Sequence, residues 1–229
     1  MSRYKEIIKT DKITTDKFKM LYNELLLMHG ENYMRQNEVQ CMKVIELVIE
    51  YLLATDKSDV TFFELFCEYN FMNEFLYLSN LDNRNICLQI IKSFSILILS
   101  ISSQQTIYYI FSNNFINQIL TNDYEKYDEE FISHYVNFLK SLTSKMDPTI
   151  IQFFFHKQYN SFPLCEASLK LYNYPDSMIK NTVRNIVLTL FKLKYEPILD
   201  YFCSLPSISY FPFMACAFRD LVIKMNEEI

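Results

Sequence analysis

Tryptophan is absent from this chain of 229 residues, and glycine occurs once, at Gly30. With six prolines beside that single glycine, turn material is too sparse for an all-β fold, whose many hairpins draw on both residues. Charge of one sign is missing too: 22 basic residues are interspersed with 27 acidic ones for a net charge of −5. That leaves no basic stripe to neutralise phosphates, so nucleic acid is excluded as a partner. The six cysteines lie far apart, mostly in apolar runs, with no C-x-x-C pair and no histidine at a metal-ligand spacing. They read as small reduced core residues, without a disulfide framework or zinc site. No cofactor is expected.

Long apolar runs are lacking as well. The uncharged stretch Ser93 to Ile107 contains six Ser or Thr residues and two Gln, short of the roughly 20 apolar residues of a membrane span. Met1 to Lys12 alternates charged and apolar residues and has no apolar core or small-residue cleavage site of a signal peptide. A cytoplasmic address is expected, with at most peripheral membrane association.

What is present is helical pattern that repeats. Half of the residues are hydrophobic, and a chain of this length can bury about 70% of its unfolded surface. Asp16 to Met28, Glu38 to Leu53, Asn83 to Ile101, Asp128 to Lys145 and Ser177 to Leu193 carry apolar residues at helical spacing, and His29-Gly30 reads as a left-handed stop after the first. Short helical segments fall between them: Asp59 to Asn70, Asn70 to Ser79, Gln104 to Phe111, Asn114 to Leu120, Thr149 to Phe155 and Pro163 to Tyr172. Glu196 to Ser204 and Ile208 to Met225 form a final pair. A hydroxyl residue followed by an apolar one recurs at Ser93-Phe94, Ser141-Leu142 and Thr189-Leu190, 48 residues apart each time, and Asn70-Phe71 recurs as Asn114-Phe115 at 44. Self-similarity at this period, in the order short, short, long, predicts an all-α, right-handed α-solenoid of armadillo/HEAT-like repeats. Residues 1–15 read as an N-terminal extension and 16–229 as a single armadillo-like domain.

Stacking the long helices at 48 residues sets Asn85, Gln89 and Lys92 over Ser133, Asn137 and Lys140, and these over Asn181 and Asn185. Each set shares one helix face. Amides both donate and accept, so such a ladder can hydrogen-bond the backbone of an extended peptide; an ordinary solvated face gives the same pattern. His29, His134 and His156 are scattered, with no Ser, Cys or acid at a triad spacing, and read as structural or solvated. The Phe and Tyr stripes at Phe153-Phe154-Phe155 and Tyr108-Tyr109 read as core, and Arg184 as a base that pairs locally. No catalytic or metal-ligating set is legible.

The block Asn160-Ser161-Phe162-Pro163-Leu164, with Glu129 to Leu142, Asn173 to Met178 and Ile107 to Asn114 around it, resembles the FPL domain of the C-type lectin domain family 16 member A and Ema family. Phe162, Pro163 and Leu164 are the triplet that names that domain; on the sequence alone they read as a hydrophobic staple and a first-turn proline. The resemblance implies a non-enzymatic adaptor on the cytosolic face of endosomal and lysosomal membranes, acting in endosome maturation, lysosomal trafficking, autophagy and mitophagy. It implies vesicle-tethering machinery, a Rab GTPase and a RING-type ubiquitin ligase as partners. Two alternatives stand beside it: a component of a ubiquitin-ligase complex, and an armadillo-type peptide or cargo receptor, whose tryptophan ladder this chain lacks.

Overall fold

The structure is a computed structural model and describes residues 13–193 and 195–202. All regular structure among these residues is helical, apart from one isolated bridge between His156 and Ser161. The chain divides into two compact units, Met1–Lys145 and Met146–Ile229.

The first unit contains α1 (Thr15–Leu27), α2 (Glu31–Gln36), α3 (Glu38–Thr55), α4 (Val60–Glu68), α5 (Phe71–Ser79), α6 (Arg84–Ser100), α7 (Gln104–Ser112), α8 (Phe115–Leu120) and α9 (Glu129–Ser144). Its helices start where a short polar side chain can take an orphan N–H group. Thr14, Asp59, Asn83, Ser103 and Asp128 accept from the backbone of Lys17, Thr61, Ile86, Thr106 and Phe131, each cap contributing about 1 kcal/mol. The long helices α3, α6 and α9 lie side by side, with α6 between the other two. Beneath them Phe18, Phe66, Phe71, Phe75 and Phe94 are fully buried, with ring centroids 4.9 Å apart for Phe18 and Phe71 and 5.6 Å for Phe75 and Phe94.

The turns differ from expectation in an instructive way. Gly30 has φ −83° and starts α2, a six-residue helix that the sequence pattern did not announce, while α1 ends at Met28 in ordinary right-handed geometry. The left-handed positions belong to asparagine: Asn70 at φ 56° and Asn114 at φ 60°. Each joins two short helices, α4 to α5 and α7 to α8, which accounts physically for the 44-residue echo. Asparagine tolerates this conformation because its side chain bonds locally; Asn114 Oδ1 accepts from Asn117 Nδ2 at 2.9 Å.

The second unit contains a 3-10 turn (Ile151–Phe153), α10 (Pro163–Lys170), α11 (Ser177–Phe191) and α12 (Glu196–Phe202). The helix expected over Thr149 to Phe155 shrinks to that single turn. Asp147 already takes the N–H groups of Thr149, Ile150 and Ile151, and Ser161 pulls His156 into an extended bridge straight after it. The helix expected over Ile208 to Met225 lies outside the described residues. No helix among those described is long and apolar enough to cross a membrane. Replacing Asn114 by Ala is expected to lower unfolding stability by about 1 kcal/mol, the cost of a Cβ in the left-handed region without local bonding. Asn114→Gly should cost less, and chemical denaturation of both variants measures the difference.

Candidate functional site

Three parallel helices make the candidate surface, and their ends fix their register. Asn83, the N-cap of α6, donates from Nδ2 to Glu38 Oε1 at 3.0 Å. Asp128, the N-cap of α9, accepts from Arg84 Nε at 2.8 Å and Nη2 at 2.6 Å, and Glu130 takes Nη2 at 2.7 Å. These contacts hold the Asp128 and Glu130 carboxyls below their usual range and push the Arg84 guanidinium up. At the opposite ends, Asp56 Oδ2 accepts the N–H groups of Ser102 and Ser103 at 2.9 and 3.1 Å. Lys145 Nζ reaches the Ile101 carbonyl at 3.3 Å. N-terminal ends meet N-terminal ends and C-terminal ends meet C-terminal ends, so α3, α6 and α9 run in the same direction.

Every one of these links joins residues 44 to 47 apart. Between α6 and α9 the links at both ends are 44 apart, so the 48-residue echo is about one helical turn out of step with that packing. Its physical content is local: Ser141 Oγ donates to the Asn137 carbonyl and Thr189 Oγ1 to the Asn185 carbonyl, while Gln89 Nε2 donates to Ser93 Oγ. A shift of one turn leaves the face unchanged, and Asn85, Gln89, Lys92, Ser133, Asn137 and Lys140 do lie on the uncovered stripes of α6 and α9. Asn85, Ser133, Asn137 and Lys140 are exposed, and Gln89 and Lys92 half-buried. Asn85 is engaged by Glu38 and Arg84. Asn181 and Asn185 are exposed on α11 in the second unit.

Sequence reasoning stopped short along α6. The stripe through positions 85, 89 and 92 continues at helical spacing to Ile96 and Leu99, which are 55% and 58% exposed. On α3 the equivalent stripe carries Glu46 and Glu50. One carboxylate oxygen of Glu50 is buried with no protein hydrogen-bond partner. Burial, and then the Glu46 carboxylate beside it, push the Glu50 carboxyl above its ordinary value. The signal that finds these residues is the 46-residue offset between α3 and α6, available only once the ends are seen to pair.

Phe162 and Leu164 are fully buried and Pro163 is buried at the first position of α10. Phe162 packs edge-on against Phe155 and Tyr201, with centroids 6.3 and 6.0 Å away, and its N–H donates to Glu166 Oε1 at 2.7 Å. The triplet closes a core and presents nothing to a partner. His29 Nε2 lies 2.7 Å from Glu74 Oε2 with its ring on Tyr77, and Arg184 sits over the Tyr172 ring at 5.2 Å. His134 is half-buried on α9, its pKa lowered chiefly by burial and then by Lys92. Tyr108 is 38% exposed, whereas Phe154 is buried. Cys41, Cys67, Cys87 and Cys165 are free thiols, all raised by burial; Cys203 and Cys216 lie outside the described residues. Among those described, no group of three or more His, Cys, Asp or Glu is placed to hold a metal ion.

The helices and this surface define an all-helical protein built on a repeating short, short, long order. The chain belongs to the FPL family, described as an uncharacterised conserved protein, which matches residues 45–191. It is 30% identical to human Protein CLEC16A over 215 residues, 93% of this chain and 20% of that protein. It is 27% identical to the Drosophila melanogaster Protein CLEC16A homolog over 204 residues, 88% of this chain and 19% of that protein. Protein TRANSPARENT TESTA 9 of Arabidopsis thaliana is 28% identical over 179 residues, 76% of this chain and 21% of that one. The chain thus spans about a fifth of the length of these relatives. No solved structure matches it.

Two outcomes follow from the buried groups. Phe162→Ala is expected to cost about 3–5 kcal/mol in chemical denaturation, as for other aromatic-to-alanine changes in a core. Because the folded-state pKa of Glu50 is raised, its ionised form works against folding at neutral pH and its neutral form does not. Glu50→Gln should therefore raise the melting temperature by about 2 °C at pH 7. The gain should fade as pH drops through the carboxylate range and vanish below about pH 4, which melting curves across pH will read.

Proposed function

We propose that this chain is a non-enzymatic adaptor in endosome maturation, lysosomal delivery, autophagy and mitophagy, acting through protein contacts on its long-helix face. The observation that carries the reading is the row of uncovered stripes on α3, α6 and α9, a broad surface held in register by paired helix ends and set on a rigid aromatic core. Membership of the FPL family supplies the setting. The helices follow an armadillo-type short, short, long order in the first unit, and the same order recurs within the second unit as the 3-10 turn, α10 and α11. The partners are vesicle-tethering machinery, a Rab GTPase and a RING-type ubiquitin ligase, met on the cytosolic face of endosomal and lysosomal membranes. The contact is the polar stripe of Asn85, Gln89, Lys92, Ser133, Asn137 and Lys140 in the first unit, and Asn181 and Asn185 offer the same amides on α11 of the second.

The test is proximity labelling from the chain in cells, beside a double variant carrying Asn137→Asp and Asn185→Asp. Tethers, Rab proteins or a ubiquitin ligase should be labelled by the parent and lost in the variant. Equal labelling by both moves the contact off the ladder. Dominance of nuclear import factors in the parent overturns the trafficking role.

A further inference from the structure

The paired helix ends fix which residues of the three stripes stand at the same height. Asp56 and Ser102 are 46 residues apart, and six residues earlier on each strand of that register stand Glu50 and Ile96. Ile101 and Lys145 are 44 apart, and five residues earlier stand Ile96 and Lys140. One row across α3, α6 and α9 thus reads acid, apolar, base. Ile96 is 55% exposed, with Leu99 extending it by a turn. Lys140 is exposed. Glu50 is half-buried, with one carboxylate oxygen turned inward and unmatched by a protein donor.

We infer that this row docks a peptide segment in the polyproline II conformation lying across the helices, carrying a basic, an apolar and an acidic side chain at three-residue intervals. Packed helix axes lie about 8–10 Å apart, and a polyproline II chain advances about 3.1 Å per residue with three residues per turn, which sets side chains three apart on one face. Three residues of peptide therefore span one helix-to-helix step. The base meets the solvent-facing side of the half-buried Glu50 carboxylate, the apolar side chain covers Ile96 and Leu99, and the acid meets Lys140. Asn137, one turn below Lys140 and exposed, offers an amide that can both donate to and accept from the passing peptide backbone. The Glu46 carboxylate, one turn below Glu50, adds to the pull on a cation. A partner with two like charges at those positions places one of them against its own sign, so the row selects as well as binds. This deepens the adaptor reading and rests on it only in taking the long-helix face as the protein-binding one.

The experiment uses three fluorescein-labelled peptides with a central leucine flanked three residues away on each side by one Lys and one Glu, by two Lys, or by two Glu. Fluorescence anisotropy with the full chain should show the mixed peptide binding about tenfold tighter than either like-charged one, the size expected for one charge-assisted contact. Glu50→Gln should bring the mixed peptide down to the level of the two-Glu peptide, and Lys140→Gln to the level of the two-Lys peptide. Ile96→Ser should weaken the mixed peptide about tenfold, as loss of a buried aliphatic contact does. Melting curves establish that each variant is folded, and Glu50→Gln is expected to be the more stable protein. Equal binding of the three peptides, or preferences unchanged in the folded charge variants, would overturn the row. Peptide selectivity in vitro with no trafficking proteins labelled in cells keeps the row and sinks the role; trafficking partners labelled without peptide selectivity does the reverse.

Discussion

The structure of the first unit depends on side chains that do two things at one place. Asn83 caps α6 by accepting from the Ile86 N–H and, through the other end of its amide, donates to Glu38 at the start of α3. Asp128 caps α9 by accepting from the Phe131 N–H while it holds Arg84 at the start of α6. A cap alone sets where a helix begins, and a surface ion pair alone contributes little. Joined in one residue, they tie the first turn of each long helix to the first turn of the previous one. Register is therefore set by helix starts, and apolar burial below supplies the stability.

Parallel neighbours impose a second requirement. A helix the length of α6, with 17 residues, climbs about 25 Å, so the chain must come back down before the next parallel helix can begin. The return is broken in two by a left-handed asparagine, at Asn70 between α4 and α5 and at Asn114 between α7 and α8. One straight return helix would be an antiparallel neighbour and would cover a long helix along its length. Two short helices at an angle pack beneath the layer instead and leave one stripe of each long helix bare. The aromatic side chains fill the space that this arrangement encloses, where Phe71 meets Phe18 of α1, Phe75 meets Phe94 of α6 and Phe66 stacks on Phe71.

The helical class, the order of elements and the helix starts were legible because they rest on local chemistry. Asp59, Asn83 and Asp128 each open a helical segment in the sequence pattern, and each does cap a helix. Gly30 misled because a lone glycine suggests the left-handed region, whereas here it is only the small residue between α1 and α2. The helix expected at Thr149 to Phe155 failed for a related reason: its apolar spacing was helical, but Asp147 and the His156–Ser161 bridge had claimed the backbone on either side. Glu50 falls on the polar side of α3 when that helix is taken singly. Its half-buried carboxylate is set by neighbouring helices, which one helix's periodicity does not describe.

The repeat register shows most clearly what sequence pattern can and cannot carry. Self-similarity finds residues with the same local environment, such as a hydroxyl bonded four residues back at Ser141 and Thr189. An environment of that kind recurs on a helix every turn, so a match at 48 and a packing offset of 44 differ by about one turn and are alike in facing direction. The face was therefore readable and the rows across it were not. Which side chains share a row is decided at the helix ends, by Asp56 against Ser102 and Lys145 against Ile101. Moving the rows by one turn replaces a column of amides beside amides with a row of unlike residues, acid, apolar and base. A surface of the first kind grips any extended backbone, whereas the second kind discriminates among side chains, so those few end contacts determine whether the face is a general holder or a selective one.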